Sequence, residues 1–151
     1  MKIIALQGKC DAGKSTTLRC LIQEMMAKGF APLGEEKPGA ITRIAAGDDL
    51  WVLFEKNDKK IAVTTRGDTQ ENIEKDLKAA KNYVDGAVDI FVCAAHTYGK
   101  TVDFIIETVG HLDSYFLGKI GTDDLALQTI LNTRDVKMLL RFIDDALAGR
   151  I

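Results

Sequence analysis

The chain has 151 residues, of which 46% are hydrophobic and 28% are charged, and its formal net charge is −2. This length suits a single domain over residues 1–151, and the composition is that of an ordinary soluble globular protein. The absence of clustered lysine and arginine excludes an obvious nucleic-acid footprint, and no apolar run is long enough to span a membrane. Three cysteines at unrelated spacings favour reduced thiols, so we expect a cytoplasmic protein.

The first elements of the chain predict a strand, a glycine-rich loop and a helix. Ile3 to Leu6 form a short apolar run typical of a buried strand. Apolar residues then recur at helical spacing from Leu18 to Met26, ahead of Gly29 as a candidate C-cap. Residues 8–15 lie between these elements and fit the pattern G-x-x-x-x-G-K-[ST]. We call residues 8–15 the glycine loop.

The residue types of the glycine loop suit phosphate binding. Its two glycines let the backbone curl so that N–H groups point into one concavity, and the following helix adds the positive end of its dipole. Lys14 is expected to reach the β- and γ-phosphates, and Ser15 to ligate Mg²⁺. The residues expected to contact a nucleotide are Gly8, Lys9, Cys10, Asp11, Ala12, Gly13, Lys14, Ser15 and Thr16. A loop of purely structural role is the alternative, and it predicts no effect of nucleotides.

The rest of the chain alternates between predicted strands and helices. Residues 30–49 contain both prolines and are expected to form a long loop, and residues 50–54 and 60–65 are expected to form a β-hairpin around Asn57-Asp58. The pattern then predicts a helix over 68–84 with Asp68 and Glu71 as a capping box, a strand over 89–94, a helix over 102–109, a strand over 114–120, a helix over 123–131 and a closing helix over 136–147. We therefore predict an α/β fold of three layers, with helices on both faces of a mostly parallel sheet and one antiparallel hairpin strand.

Two loops that follow predicted strands carry further candidate site residues, because ligands of open α/β sheets bind beyond the carboxyl ends of the strands. In the first loop, Asp68 is a candidate base or Mg²⁺ support, with helix capping as the alternative. Arg66 is a candidate for neutralising charge on a transferring phosphoryl group, with a solvated surface role as the alternative.

The second loop offers Gly99-Lys100-Thr101 at a helix start as a second anion site for a phosphate-bearing acceptor. His96 and Tyr98 in the same loop are weaker candidates for contacting a base or sugar, and Arg43 is a cation that the sequence does not place.

The glycine loop and the α/β pattern resemble the P-loop NTPase superfamily. Within it, residues 8–16 are similar to the loop of translational GTPases, but the nearest matches to that group's other motifs, Thr64-Thr65-Arg66-Gly67 and Asn132-Thr133-Arg134-Asp135, lack the required aspartate and lysine. The second of these stretches is expected to cap a helix. Lys9 occupies the position of the extra lysine of the partition ATPases, which implies an ATP-dependent homodimer, whereas Cys10 and Asp11 replace the glycines of that motif.

Small P-loop kinases provide the third comparison, and they imply an acidic residue after a middle strand and arginines that close over the phosphates. Asp68, Arg66 and Arg43 suit these roles. No apolar strand of this chain ends in the aspartate that usually supports the metal. The resemblance implies that the chain binds ATP or GTP with Mg²⁺ and transfers or hydrolyses the terminal phosphoryl group, with Lys14, Asp68 and Arg66 as catalytic residues and Ser15 and Asp68 at the metal. A nucleotide-dependent dimerising or partner-regulating ATPase is the alternative.

Overall fold

A computed structural model describes residues 1–10 and 12–151. The described residues form one six-stranded sheet with four α-helices. The strands are β1 (Lys2–Gln7), β2 (Ala31–Glu35), β3 (Trp51–Lys56), β4 (Lys59–Thr64), β5 (Ile90–Ala95) and β6 (Ser114–Gly118). The helices are α1 (Lys14–Ala27), α2 (Gln70–Tyr83), α3 (Lys100–Val109) and α4 (Leu125–Leu147), and short 3₁₀ segments cover Ile41–Ala46 and His111–Asp113.

The sheet is mixed, with the strand order β2-β3-β4-β5-β1-β6. Strands β4, β5, β1 and β6 are parallel to one another, whereas β3 is antiparallel to both of its neighbours. The predicted α/β class with a single antiparallel hairpin strand is therefore confirmed. Because β3 runs against the others, its amino end lies at the same edge of the sheet as the carboxyl ends of the parallel strands.

Helices cover both faces of the sheet. Successive side chains of a strand point to opposite faces, and those of β1 and β5 are buried one after another. On one face, Ile4 and Leu6 of β1 pack in a cluster with residues of α1 and α4. On the other face, Ile3 and Ala5 pack in a second cluster with residues of α2 and α3. All four of these β1 side chains are fully buried, so β1 is covered on both faces, and β5 and β6 flank it within the sheet.

The predicted hairpin is confirmed, and the predicted long loop is only partly so. Asn57 and Asp58 have φ of 53° and 61°, the left-handed conformation that a tight two-residue hairpin turn requires. The segment predicted as a loop over residues 30–49 contains β2, which pairs with β3 at the edge of the sheet with a register shift between Pro32 and Gly34. The strand was not predicted because proline and glycine usually indicate a loop. Both residues are nevertheless tolerated in an edge strand and at a bulge.

Two predictions about helices are wrong. The two helices predicted over 123–131 and 136–147 are one continuous helix of 23 residues, α4, which begins at Leu125. Asn132 to Asp135 therefore lie inside a helix and do not cap one. The amino end of α2 is capped by Thr69, whose side chain accepts a hydrogen bond from the Asn72 N–H, and not by Asp68. Thr69 suits the position because a short hydroxyl side chain reaches the third helical N–H group.

Among the described residues, no helix combines the length and the apolar character needed to cross a membrane.

Candidate functional site

The glycine loop lies where the carboxyl ends of β1, β5 and β6 meet. Its first residue is tied to β5, since the Gly8 N–H donates to the Ala95 carbonyl at 3.0 Å. On the other side, the Lys119 N–H donates to the Gln7 carbonyl at 2.7 Å, which extends the pairing of β6 with β1 up to the loop. The loop is therefore anchored at its start by both neighbouring strands.

The glycine loop leads into α1 with its amino end at the site edge of the sheet. Gly13 is the N-cap of α1, with φ of 88°, and having no side chain it supplies no side-chain cap. The first N–H groups of a helix have no carbonyl partner inside the helix, and they carry the positive end of its dipole. The positive end of this dipole lies where the motif predicts an anion, and binding of an anion stays a prediction.

Lys14 lies across the loop and is largely buried. Its ammonium group donates to the carbonyl oxygens of Gly8 at 2.6 Å and Lys9 at 2.9 Å. These bonds hold the amine over the concave side of the loop, where it adds a positive charge to the helix dipole. Of the other predicted contact residues, Ala12 is buried, the side chains of Lys9, Cys10 and Thr16 are exposed, and Asp11 lies outside the described residues.

Ser15 faces the carboxyl end of β4. Its hydroxyl group donates to the Thr65 carbonyl at 3.0 Å, and the Thr65 hydroxyl donates to a carboxylate oxygen of Asp49 at 2.9 Å. Asp49 directly precedes Leu50 and the antiparallel strand β3, and this position brings it to the site edge of the sheet. Its carboxylate also pairs with Arg19 at 3.3 Å. Sequence reasoning missed Asp49 because it searched only the residues that follow strands.

A buried polar cluster lies beneath the glycine loop and was also missed. The Lys119 ammonium group donates to the Asn132 amide oxygen at 2.5 Å and to Asp135 at 2.9 Å. The side chains of Lys119 and Asp135 are 1% and 0% exposed. Thr17, in the first turn of α1, donates to the same Asn132 oxygen at 3.1 Å. The cluster thereby joins the first turn of α1 to the middle of α4 through the residue that follows β6.

The two glycines of the loop pack closely against this cluster. A Cβ atom at position 8 would lie 3.0 Å from the Lys119 carbonyl oxygen, which is closer than side-chain carbons normally approach an oxygen. A Cβ atom at position 13 would lie 3.7 Å from the side chain of Lys119, in addition to the strain of a positive φ. Packing therefore favours glycine at position 8, and the positive φ favours glycine at position 13.

Arg66 is held by acidic partners on two elements. Its guanidinium group lies 2.8 Å from Glu36 and 3.1 Å from Asp76 of α2, and the Thr64 hydroxyl donates to Asp76 at 2.6 Å. The hydrogen bond to Glu36, together with the charge of Asp76, raises the pKa of Arg66 above its ordinary value. Arg66 therefore connects the segment after β2 to α2. Charge neutralisation on a phosphoryl group stays a prediction for this residue.

The remaining candidates lie at the ends of β4 and β5. The side chain of Asp68 is exposed, and its backbone carbonyl lies 2.8 Å from His96 Nε2, which joins the two loops. Tyr98 is 84% exposed. Gly99 precedes α3 as predicted, and the Thr101 hydroxyl accepts a hydrogen bond from the backbone N–H of His96 at 3.0 Å.

Arg43, whose place the sequence left open, lies in the 3₁₀ segment before β3 and forms an exposed ion pair with Asp48 at 2.9 Å.

The donor set beside Ser15 fits Mg²⁺ held mainly by phosphate and water. Within the described residues, no group of three or more His, Cys, Asp or Glu side chains is arranged to hold a metal ion. The Ser15 hydroxyl and the nearby Asp49 carboxylate are hard oxygen ligands, and Mg²⁺ in phosphate-binding sites typically takes one or two protein oxygens and keeps several waters. The residues present are sufficient for that mode of binding.

Comparison with protein-family models, with curated proteins and with solved structures found no match to this chain.

Proposed function

We propose that the chain is a P-loop protein that binds a nucleoside triphosphate with Mg²⁺ and transfers or hydrolyses its terminal phosphoryl group. The observation that carries the proposal is the strand–glycine loop–helix unit from β1 to α1, in which the positive end of a helix and a buried lysine converge. Backbone N–H groups and a lysine in this arrangement are the donors that phosphate oxygens require.

Each residue of the loop has a distinct role in this proposal. The N–H groups at the start of α1 bind the phosphate oxygens, and Lys14 moves its ammonium group from the loop carbonyls to the β- and γ-phosphates. Its charge then stabilises the negative charge that develops in the transition state. The Ser15 hydroxyl binds the metal, and the bound Mg²⁺ supplies charge neutralisation on the β- and γ-oxygens.

Two carboxylates compete for the role of supporting the metal or orienting the nucleophile. Asp68 follows β4 and has an exposed side chain, whereas Asp49 is linked to Ser15 through Thr65. The hydrogen-bond chain favours Asp49. Asp49→Asn and Asp68→Asn are a matched pair, because each removes one charge with little change in shape. We expect Asp49→Asn to weaken Mg²⁺-dependent turnover more than Asp68→Asn does. The opposite ranking would assign the role to Asp68.

A phosphate-bearing acceptor would meet basic side chains close to this carboxylate. A cavity of about 280 Å³ beside Asp49 is lined by three basic side chains and three carboxylates, namely those of Lys37, Arg43, Arg66, Glu36, Asp48 and Asp49. A bound phosphate would replace Glu36 on Arg66 and Asp48 on Arg43. This cavity is our candidate acceptor site for the kinase form of the proposal.

Thermal melts with ATP, GTP and ADP, each with and without Mg²⁺, test the proposal. A ligand at a hundredfold excess over its Kd stabilises the native state by about 2.7 kcal/mol. At about 2–4 °C per kcal/mol for a chain of this size, the midpoint should rise by about 5–11 °C. We expect this rise with a triphosphate and Mg²⁺ and its loss in Lys14→Ala, while Lys78→Ala, which removes an exposed lysine of α2, retains it. Wild-type protein that shows no shift with any nucleotide would contradict nucleotide binding.

A nucleotide-dependent homodimer is the second candidate, and a specific surface favours it. Lys9 and Ile120 line the same cavity of about 570 Å³ beside the loop, and Ile120 is 62% exposed. At the start of α4, Leu125 and Ile130 are also largely exposed. Size-exclusion chromatography with ADP and with a non-hydrolysable ATP analogue tests the dimer. A mass that doubles only with the analogue, and not in Lys9→Ala, would favour this candidate, and a constant mass would count against it.

A further inference from the structure

Consecutive residues at the start of α1 face different parts of the site. Ser15 points towards Thr65 at the end of β4, which is the side proposed for the metal and the terminal phosphate. Thr16 instead lines the groove between α1 and α4. Neighbouring residues of a helix point about 100° apart, so this difference follows from helical geometry. For a triphosphate whose terminal phosphate lies near Ser15, the groove on the Thr16 side is therefore a space open to the nucleoside.

The groove on the Thr16 side is large and has one wall that extends past the loop. Its volume is about 960 Å³, in the upper range of small-molecule sites. Helix α4 is level with the glycine loop at Asn132, which contacts Thr17. Seven residues of α4, Leu125 to Leu131, precede this level, and at about 1.5 Å per residue they extend about 10 Å beyond it.

The chemistry of the groove changes along its length. Near the loop it is lined by the amides of Gln128 and Asn132 and by the hydroxyl groups of Thr16, Thr129 and Thr133. Farther from the loop the lining is apolar and then charged, with Val136 and Leu140 followed by paired acidic and basic side chains. The end nearest the phosphates is thus polar but uncharged.

A nucleoside matches this end of the groove. Purine bases and ribose are uncharged and present both donors and acceptors at their edges, and an amide side chain offers both types of group. Gln128 and Asn132 are four residues apart, so their side chains lie on one face of α4. The Asn132 oxygen already accepts from Lys119 and Thr17, so Gln128 is the residue that offers both types of group. We infer that the base and ribose of the bound nucleotide occupy the Thr16 end of the groove between α1 and α4, against Gln128 and Thr133. This inference rests on the proposed function and names the second half of its ligand site.

Comparing a nucleotide with inorganic tripolyphosphate separates the two halves of the site. Both ligands carry the phosphates, and only the nucleotide carries the groups assigned to the groove. Thr133→Trp fills the groove from an exposed position of α4, so the fold should tolerate it. The matched control is Thr108→Trp on α3, because both threonines are exposed and both donate to the carbonyl four residues earlier.

Isothermal titration with Mg²⁺ present measures each affinity. We expect Thr133→Trp to weaken binding of the better of ATP and GTP by about tenfold or more and tripolyphosphate by less than about twofold, and Thr108→Trp to change neither. Gln128→Ala should weaken the nucleotide by about fivefold, the effect of one lost hydrogen bond. Nucleotide binding that is unchanged in both groove variants would overturn the inference. So would a wild-type affinity for tripolyphosphate equal to that for the nucleotide. If wild-type protein bound neither ligand, the proposed function itself would fail, and the inference with it.

Discussion

Replacing Lys119 tests whether the buried cluster beneath the glycine loop carries the stability that its geometry implies. Lys119→Met keeps the length and most of the volume of the side chain but removes its charge. Asp135, which is fully buried, would then keep only Arg134, whose side chain is 45% exposed and lies 2.8 Å from the carboxylate. The variant therefore leaves a buried carboxylate that has lost its buried cation.

The loss of unfolding free energy expected for Lys119→Met can be estimated from the burial of the Lys119–Asp135 ion pair. Breaking a buried ion pair by removing one partner typically costs about 3–5 kcal/mol. We expect the lower part of this range, because Arg134 still neutralises part of the charge of Asp135. For a chain of 151 residues, a loss of about 3 kcal/mol lowers the melting midpoint by about 6–12 °C.

Urea denaturation of Lys119→Met and of the double variant Lys119→Met/Asp135→Leu provides the assay. The double variant removes both charges, so it should recover about 1 kcal/mol or more of the stability lost in the single variant. A double variant no more stable than the single one would refute the view that an uncompensated charge causes the loss. A single variant within about 0.5 kcal/mol of wild type would refute the importance of the pair altogether, since that is the range of an ordinary surface substitution.

Two further predictions concern packing and thiol chemistry. A Cβ atom at Gly67 would lie 2.5 Å from the Cβ and the carbonyl oxygen of Ala94, so we expect Gly67→Ala to lower the free energy of unfolding by about 1–3 kcal/mol. Gly118→Ala is the control, because a Cβ atom there meets open space and should have little effect. Equal free energies of unfolding for the two variants in urea would contradict the close approach at Gly67. Burial raises the pKa of Cys93 to about 12, so a thiol reagent should label exposed Cys10 in the native protein and Cys93 only after unfolding. The free energy of unfolding should also fall between about pH 9 and pH 12, because the unfolded thiol loses its proton in this range and the folded thiol keeps it. Native labelling of both cysteines at one rate would contradict this assignment.

The sequence was informative wherever local chemistry determines local structure. The glycine loop, the apolar strand before it and the Asn57-Asp58 turn each depend on residue types within a few positions, and the structure has β1, α1 and the hairpin there. The edge strand β2 was not predicted, because its pairing depends on β3, about 20 residues later. Helix α4 was divided in two because Asn132 and Asp135 interrupt its apolar face. Lys119, which is distant in sequence, contacts both residues and pairs with buried Asp135, and no local pattern reveals these contacts.

In the candidate site too, residues positioned by local sequence were predicted and residues positioned by distant pairing were missed. Asp49 is the clearest example of a missed residue. The rule that ligands bind beyond the carboxyl ends of parallel strands directed attention to Asp68 and to the loop after β5. An antiparallel strand reverses the rule, because its amino end occupies that edge. The hairpin from β3 to β4 was predicted, and its consequence is that residues just before β3 lie beside residues just after β4, as the bond from Thr65 to Asp49 shows. The predicted apolar strands offered no aspartate at their carboxyl ends, whereas Asp49 comes from the beginning of a strand and is linked to Ser15 through Thr65. Any predicted hairpin at the border of a parallel sheet should therefore have its leading residues searched for metal ligands together with the trailing residues of its partner.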